Sequence, residues 1–145
     1  MQTENIVTKC IRTMNAYAER ISQSEKYCGE ILHTAEIHLI EAIGLHPNSR
    51  TTELAEILGL TKGRVSQLSK VLIAKKFIRP AAGRENKKEI FYSLTASGEK
   101  IFKEHAEKDA KIISPIIEHL KSLNSRELEV IEQFIDITYA QLSSE

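Results

Sequence analysis

The chain has 145 residues, enough for one domain or one subunit of an oligomer, and its 41% apolar and 28% charged residues describe a sequence that folds. With 6 Gly, 3 Pro and no Trp it has too little turn chemistry for an all-β sandwich; no apolar run reaches the roughly 18 residues of a membrane span, and the start lacks the layout of a secretion signal. The net charge is zero, yet His46 to Ile90 holds ten basic residues against four acids, while the flanks together hold ten bases and sixteen acids. A basic middle between acidic flanks gives the molecule one face suited to a polyanion.

Helical spacing begins at about Asn5 and runs to Ser22, with Ile6, Cys10, Met14, Tyr17 and Ile21 on one stripe. A polar stretch, Ser22 to Lys26, precedes a second predicted helix from about Gly29 to Ile43, and Gly44 to Ser49 reads as a loop around Pro47. Thr51 or Thr52 caps a short helix that Gly59 ends; Thr61 caps the next, from about Lys62 to Lys76. Phe77 to Pro80 and Glu89 to Leu94 read as two short strands joined by the polar turn Ala81 to Lys88. Thr95 caps a long helix, with a kink or break expected at Pro115. Asn124 and Glu127 form a capping box for a last helix, from Ser125 to about Leu142, striped by Leu128, Ile131, Phe134, Ile135, Ile137 and Tyr139.

The segment Thr51 to Lys70 carries the most information. Two helices crossing steeply over a short turn need a small residue at the crossing, and Ala55 supplies it. They need a turn residue tolerant of positive φ, which is Gly59, and apolar packing at Leu54, Leu58, Leu60, Val65 and Leu68. The outward positions of the second helix, Thr61, Lys62, Gly63, Arg64, Ser66, Gln67 and Lys70, are basic, hydrogen-bonding or small, as a helix entering a major groove requires. Gln67 suits an adenine edge, Arg64 or Lys62 a guanine, and Thr61 with the helix N-terminus a phosphate. Thr51 joins this set at the start of the first helix. Arg84, Lys87 and Lys88 lie at the hairpin tip, within reach of a minor groove or backbone. No Gly-rich phosphate loop, CxxC, HExxH or Gly-x-Ser-x-Gly elbow occurs, so no enzyme is expected.

This order of helices, helix-turn-helix, basic hairpin and long C-terminal helices resembles the MarR family of transcription regulators. The resemblance rests on Thr51 to Lys70, on Phe91-Tyr92-Ser93-Leu94-Thr95 with Gly98 after it, and on Asn124-Ser125-Arg126-Glu127-Leu128. It implies a mainly α fold with a small β-hairpin wing: a winged helix-turn-helix in an intertwined helical homodimer. Residues 1–145 would be one domain, 30–95 the DNA-binding lobe, and 1–29 with 96–145 the dimerisation region. The function implied is that of a regulator, a repressor, on an inverted-repeat operator in double-stranded DNA; separately, two cysteines, Cys10 and Cys28, make no disulfide framework, so a reducing, cytoplasmic location is expected. In the wing, Asn86 and Lys88 stand where the family often has Asp and Arg.

The family's usual switch is a small organic effector between the dimer helices and the lobe. A partial likeness to its zinc-sensing, AdcR-like branch implies zinc instead, at His38, His105 and Asp109, with His33, Cys28 and Glu104 as candidates for a fourth ligand. Cys10 falls near the thiol of peroxide-sensing members, but Met14 stands where a tyrosine partner would be, so packing is the simpler role. A winged helix that binds protein rather than DNA is the alternative from another class, against which the basic middle segment argues.

Overall fold

The computed structural model describes residues 1–143; positions 144 and 145, which close the expected 1–145 and 96–145 segments, lie outside it. The chain runs α1 (Gln2–Ser22), β1 (Glu25–Tyr27), β2 (Glu30–Leu32), α2 (Thr34–Leu45), β3 (Ser49–Arg50), α3 (Thr51–Leu58), α4 (Lys62–Ala74), β4 (Ile78–Ala82), β5 (Ile90–Leu94), α5 (Ala96–Lys121) and α6 (Ser125–Ser143). It forms two compact units, Met1–Ala106 and the described residues from Glu107 onward, with the division inside α5.

The first unit is built around α2, which is apolar on nearly every side and therefore buried: Ile37, Leu39, Ile40, Ala42 and Ile43 all lie inside. Against it pack Leu54 and Ala55 of α3, Val65, Leu68 and Leu72 of α4, Ile78, Tyr92 and Leu94 of the sheet, and Ile101 of α5. Leu58 packs at the edge of this core, but Leu60, expected inside, is exposed: it follows the turn glycine and leaves the apolar face of both helices.

The start of the second helix is a correction. Residues Glu25 to Leu32 form an antiparallel hairpin pairing Glu25 with Leu32 and Tyr27 with Glu30, and α2 begins only at Thr34. Cys28 and Gly29 both take positive φ, +48° and +88°, the mirror-image turn whose twist matches that of paired strands. Tyr27 and Leu32 face the core. Thr34 Oγ1 donates to the Ile21 carbonyl at 2.7 Å, tying the end of α1 to the start of α2. At its other end α2 continues through Gly44, expected in the loop, where a Cβ would come within 2.6 Å of the Phe102 ring.

The three-stranded sheet has the order β3-β5-β4, all antiparallel, with Ser49 opposite Tyr92 and Ile78 opposite Leu94. β3 was not foreseen. The junction of β5 with α5 is tightly bonded: the Thr95 amide donates to the Phe77 carbonyl at 3.0 Å, Thr95 Oγ1 donates to the Lys76 carbonyl at 2.7 Å, and the Gly98 amide donates to Oγ1 at 3.1 Å. A methyl at Gly98 would overlap the Phe77 carbonyl, which is why a glycine stands there.

In α1, Ile6, Val7, Ile11, Tyr17 and Ile21 are exposed. In the second unit, α5 runs through Pro115 without the break entertained from sequence. Proline removes one donor, that to the Lys111 carbonyl, and a helix with water on both sides can leave that carbonyl solvated. Asn124 and Glu127 form the foreseen capping box, with bonds of 2.9 and 3.0 Å. Ile116, Val130, Ile135, Ile137 and Tyr139 are exposed. Among the described residues no helix is long and apolar enough to cross a membrane.

Candidate nucleic-acid interface and metal cluster

Gly59 ends α3 in the left-handed conformation (φ 63°, ψ 33°), and the Leu60 amide closes the turn on the Ala55 carbonyl at 2.9 Å. Thr61 then caps α4, its Oγ1 accepting from the Arg64 amide at 3.2 Å. The two helices thus meet over a turn fixed by glycine and threonine. Along α4 the burial is one-sided. Val65, Leu68, Ser69 and Leu72 are buried, while Lys62, Gly63, Arg64, Gln67 and Lys70 are exposed and Ser66 is half-buried. The candidate contact residues of this helix therefore share one accessible side. Thr51 is the first residue of α3 and half-buried; the cap is Arg50, whose amide donates to Glu53 Oε2 at 2.8 Å. The capping role expected of Thr51 or Thr52 falls to the preceding residue because Glu53 sits three positions after Arg50.

The wing is the β4–β5 hairpin. Its tip is closed by the Gly83 amide on the Glu89 carbonyl at 2.9 Å and by the Glu89 amide on the Asn86 carbonyl at 3.0 Å. Asn86 Oδ1 also accepts from the Lys88 amide at 3.0 Å, so its carboxamide oxygen does here what a carboxylate oxygen could do without adding charge. Arg84, Lys87 and Lys88 are exposed at this tip.

Arg50 was not singled out from sequence. Its Nη2 lies 3.0 Å from Glu53 Oε1 and its Nη1 3.2 Å from Glu89 Oε1. The Glu53 side-chain hydrogen bond raises the Arg50 pKa further; the Arg50 amide, then its guanidinium, hold the Glu53 carboxyl below its ordinary value.

A second group of side chains gathers around His105, which is buried on α5. The Tyr27 hydroxyl is 3.1 Å from its Nδ1, and Glu41 Oε2 of α2 is 3.7 Å from its Nε2. Glu41, His105 and Asp109 each offer one ligand atom, and these lie within 4.8 Å of one another; Asp109 follows His105 by one turn of the same uninterrupted helix. The His38 ring centroid is 6.3 Å from that of His105, adjacent to this group but not in it. Glu41 was missed, although it stands one helical turn after His38 on α2, a spacing visible in the sequence. Of the other candidates, Cys28 donates from its amide and its thiol to Glu104 Oε2, at 3.1 and 3.4 Å, and His33 Nδ1 is 2.9 Å from Ser24 Oγ. Cys10 is half-buried on α1. One imidazole and two carboxylates are a nitrogen and oxygen donor set that a divalent cation such as zinc accepts.

An exposed basic helix held by a glycine turn, with a basic antiparallel hairpin beside it, defines a winged helix-turn-helix domain. No protein-family model matches the sequence. The chain is 29% identical over 109 residues to the HTH-type transcriptional regulator PchR of Bacillus subtilis, a stretch covering 75% of this chain and 64% of that one. It thus spans less than two thirds of that relative's length. Among solved structures it is similar to the adhesin competence repressor AdcR of Streptococcus pyogenes, with a TM-score of 0.74 and 17% identity over 99% of this chain and 100% of the other. It is also similar to ZitR of Lactococcus lactis, a zinc-responsive MarR family member, with a TM-score of 0.68 and 21% identity over 97% and 99%. A third is FabT of Streptococcus pneumoniae, solved in complex with DNA, with a TM-score of 0.67 and 20% identity over 97% and 96%. The fold is that of the MarR-family winged-helix regulators, and the relatives are transcription regulators, not enzymes.

Proposed function

We propose that the chain is a sequence-specific regulator of transcription that binds double-stranded DNA as a homodimer, acting as a repressor on an inverted repeat. The observation that carries this is the one-sided α4: Lys62, Gly63, Arg64, Gln67 and Lys70 are exposed together while the opposite side is locked into the core. The wing tip supplies three more cations for the backbone, and FabT, of the same fold, was solved on DNA. The exposed apolar residues of α1 and α6 support a second copy as partner, since a monomer seldom leaves so much apolar surface in water. The test is a fluorescence-anisotropy titration on the DNA adjoining the chain's own gene, against unlabelled competitor and across salt. Gln67→Ala should lower affinity by about 5- to 150-fold for the operator and change little on unrelated duplexes. Equal losses on all sequences would remove α4 from base recognition, and binding that any DNA competes away would favour a protein partner.

Zinc is the effector that the His105 cluster favours over an organic molecule. Glu41, His105 and Asp109 would hold it, with His38 the nearest further donor; ZitR, of the same fold, is zinc-responsive. Bound there, the cation would draw α2 and α5 together and bias the lobe that carries α4. Zinc should change operator affinity, EDTA should reverse the change, and His105→Ala should abolish zinc binding measured by competition with a chromophoric chelator. A chain indifferent to both reagents would leave the organic effector as the switch.

A further inference from the structure

We propose that Arg50 is a positioning residue for DNA binding: its guanidinium forks between Glu53 at the start of α3 and Glu89 where the wing's tip loop joins β5, and so fixes the wing's angle to the reading helix. This rests on the DNA-binding function proposed above and adds a residue that does not itself touch DNA. The two prongs are 3.0 and 3.2 Å long. Both ends are structural corners. Glu53 caps α3 through the Arg50 amide, and Glu89 is where the tip loop closes, giving its amide to Asn86 and its carbonyl to Gly83. The planar fork of arginine spans two carboxylates at once, which lysine cannot do.

Stability is a poor explanation for this arrangement. Arg50, Glu53 and Glu89 are each about 40% exposed, and ion pairs that open to water add little to folding. Its place is informative instead. The segment His46 to Ile90 contains four acids among ten bases, and Arg50 holds two of the four. Left alone, those carboxylates would repel a phosphate backbone; held by Arg50, they brace the part of the fold that must meet it.

Glu89→Gln separates the two effects because they have opposite signs. Removing a negative charge near DNA should tighten binding; releasing the wing should weaken it. The probe is the duplex that the wild-type chain selects from a random-sequence library, with a scrambled duplex of equal length beside it. Glu89→Gln should leave the melting temperature unchanged yet lower affinity for the selected duplex about three- to tenfold and flatten the salt dependence by about one phosphate contact. Lys88→Ala should then cost less in the Glu89→Gln background than in wild type, because a loosened wing no longer places that cation. Arg50→Lys, which keeps the charge and loses the fork, should fall with Glu89→Gln, and hydrogen exchange at the Gly83 and Glu89 amides should quicken in both. Equal or tighter binding by Glu89→Gln, or wild-type behaviour of Arg50→Lys, would overturn the role of the fork alone. A wild-type chain that selects no duplex would overturn the DNA-binding function, and the positioning role with it.

Discussion

Gly63 offers a test in which folding and function should move in opposite directions. It is the second residue of α4, its φ is not in the left-handed region, and a Cβ added there meets no atom within 4 Å. Nothing in the fold calls for a glycine at this point. Alanine should restrict the unfolded chain and favour the helix, stabilising the protein by about 0.5–1 kcal/mol. For a chain of this size that is a rise of about 1–4 °C in melting temperature at fixed protein concentration. If the first turn of α4 lies against the groove floor or a phosphate, the same methyl must push the backbone away from it, and affinity should fall about tenfold or more on specific and scrambled duplexes alike. Scanning calorimetry and anisotropy on one preparation give both numbers. A Gly63→Ala chain that is more stable and binds equally well would show that the helix N-terminus does not approach DNA closely. A less stable one would refute the claim that the position is open.

Three other substitutions probe the scaffold. Lys75 Nζ lies 3.1 Å from Glu36, which is buried at the start of α2, so Lys75→Met should cost about 3 kcal/mol by urea unfolding. That is the low end for a broken buried pair, because Glu36 also accepts the His33 amide at 2.9 Å. Ser69 is buried, and among the described residues its Oγ has no hydrogen-bond partner, so Ser69→Ala should leave the melting temperature unchanged or raise it. A fall of more than about 1 kcal/mol would mean that the hydroxyl is bonded in solution. Glu53 has its carboxyl pKa lowered by Arg50, so the stability it contributes is present above the ordinary carboxylate range and drains away as pH falls through that range toward the lowered value. Melting curves from about pH 6 to pH 3 should therefore drop less steeply for Glu53→Gln than for wild type.

The parts of the fold legible in the sequence are those whose constraints are local. Gly59, Thr61 and the Asn124–Glu127 box each act within four residues, and the structure uses all of them as expected. The hairpin from Glu25 to Leu32 escaped because strands of three residues carry no periodicity. Its turn also puts a cysteine, rather than the usual asparagine, in the left-handed region. Arg50 escaped because it caps α3 with its main chain, leaving only Glu53 as a visible sign. Its second partner, Glu89, is remote in sequence and becomes a neighbour only through the pairing of β3 with β5. The metal candidates were half legible. His105 and Asp109 share a helix face, whereas Glu41 reaches His105 only because α2 packs beside α5, and its one-turn spacing from His38 was the sign available.

The junction at Thr95 has a mechanical meaning. The bonds to Lys76 and Phe77, with Gly98 pressed on the same carbonyl, fasten the corner between β5 and α5 at several points and so resist separate rotation of the two. They form a single bent bar. One arm, from Thr95 to His105, is about 15 Å long at the rise of a helix; the other, along β5 to Ile90, is about 17 Å at the rise of a strand. Arms of nearly equal length neither amplify nor damp a displacement, so a tilt that moves His105 by an ångström would carry the tip end of β5 by about the same distance.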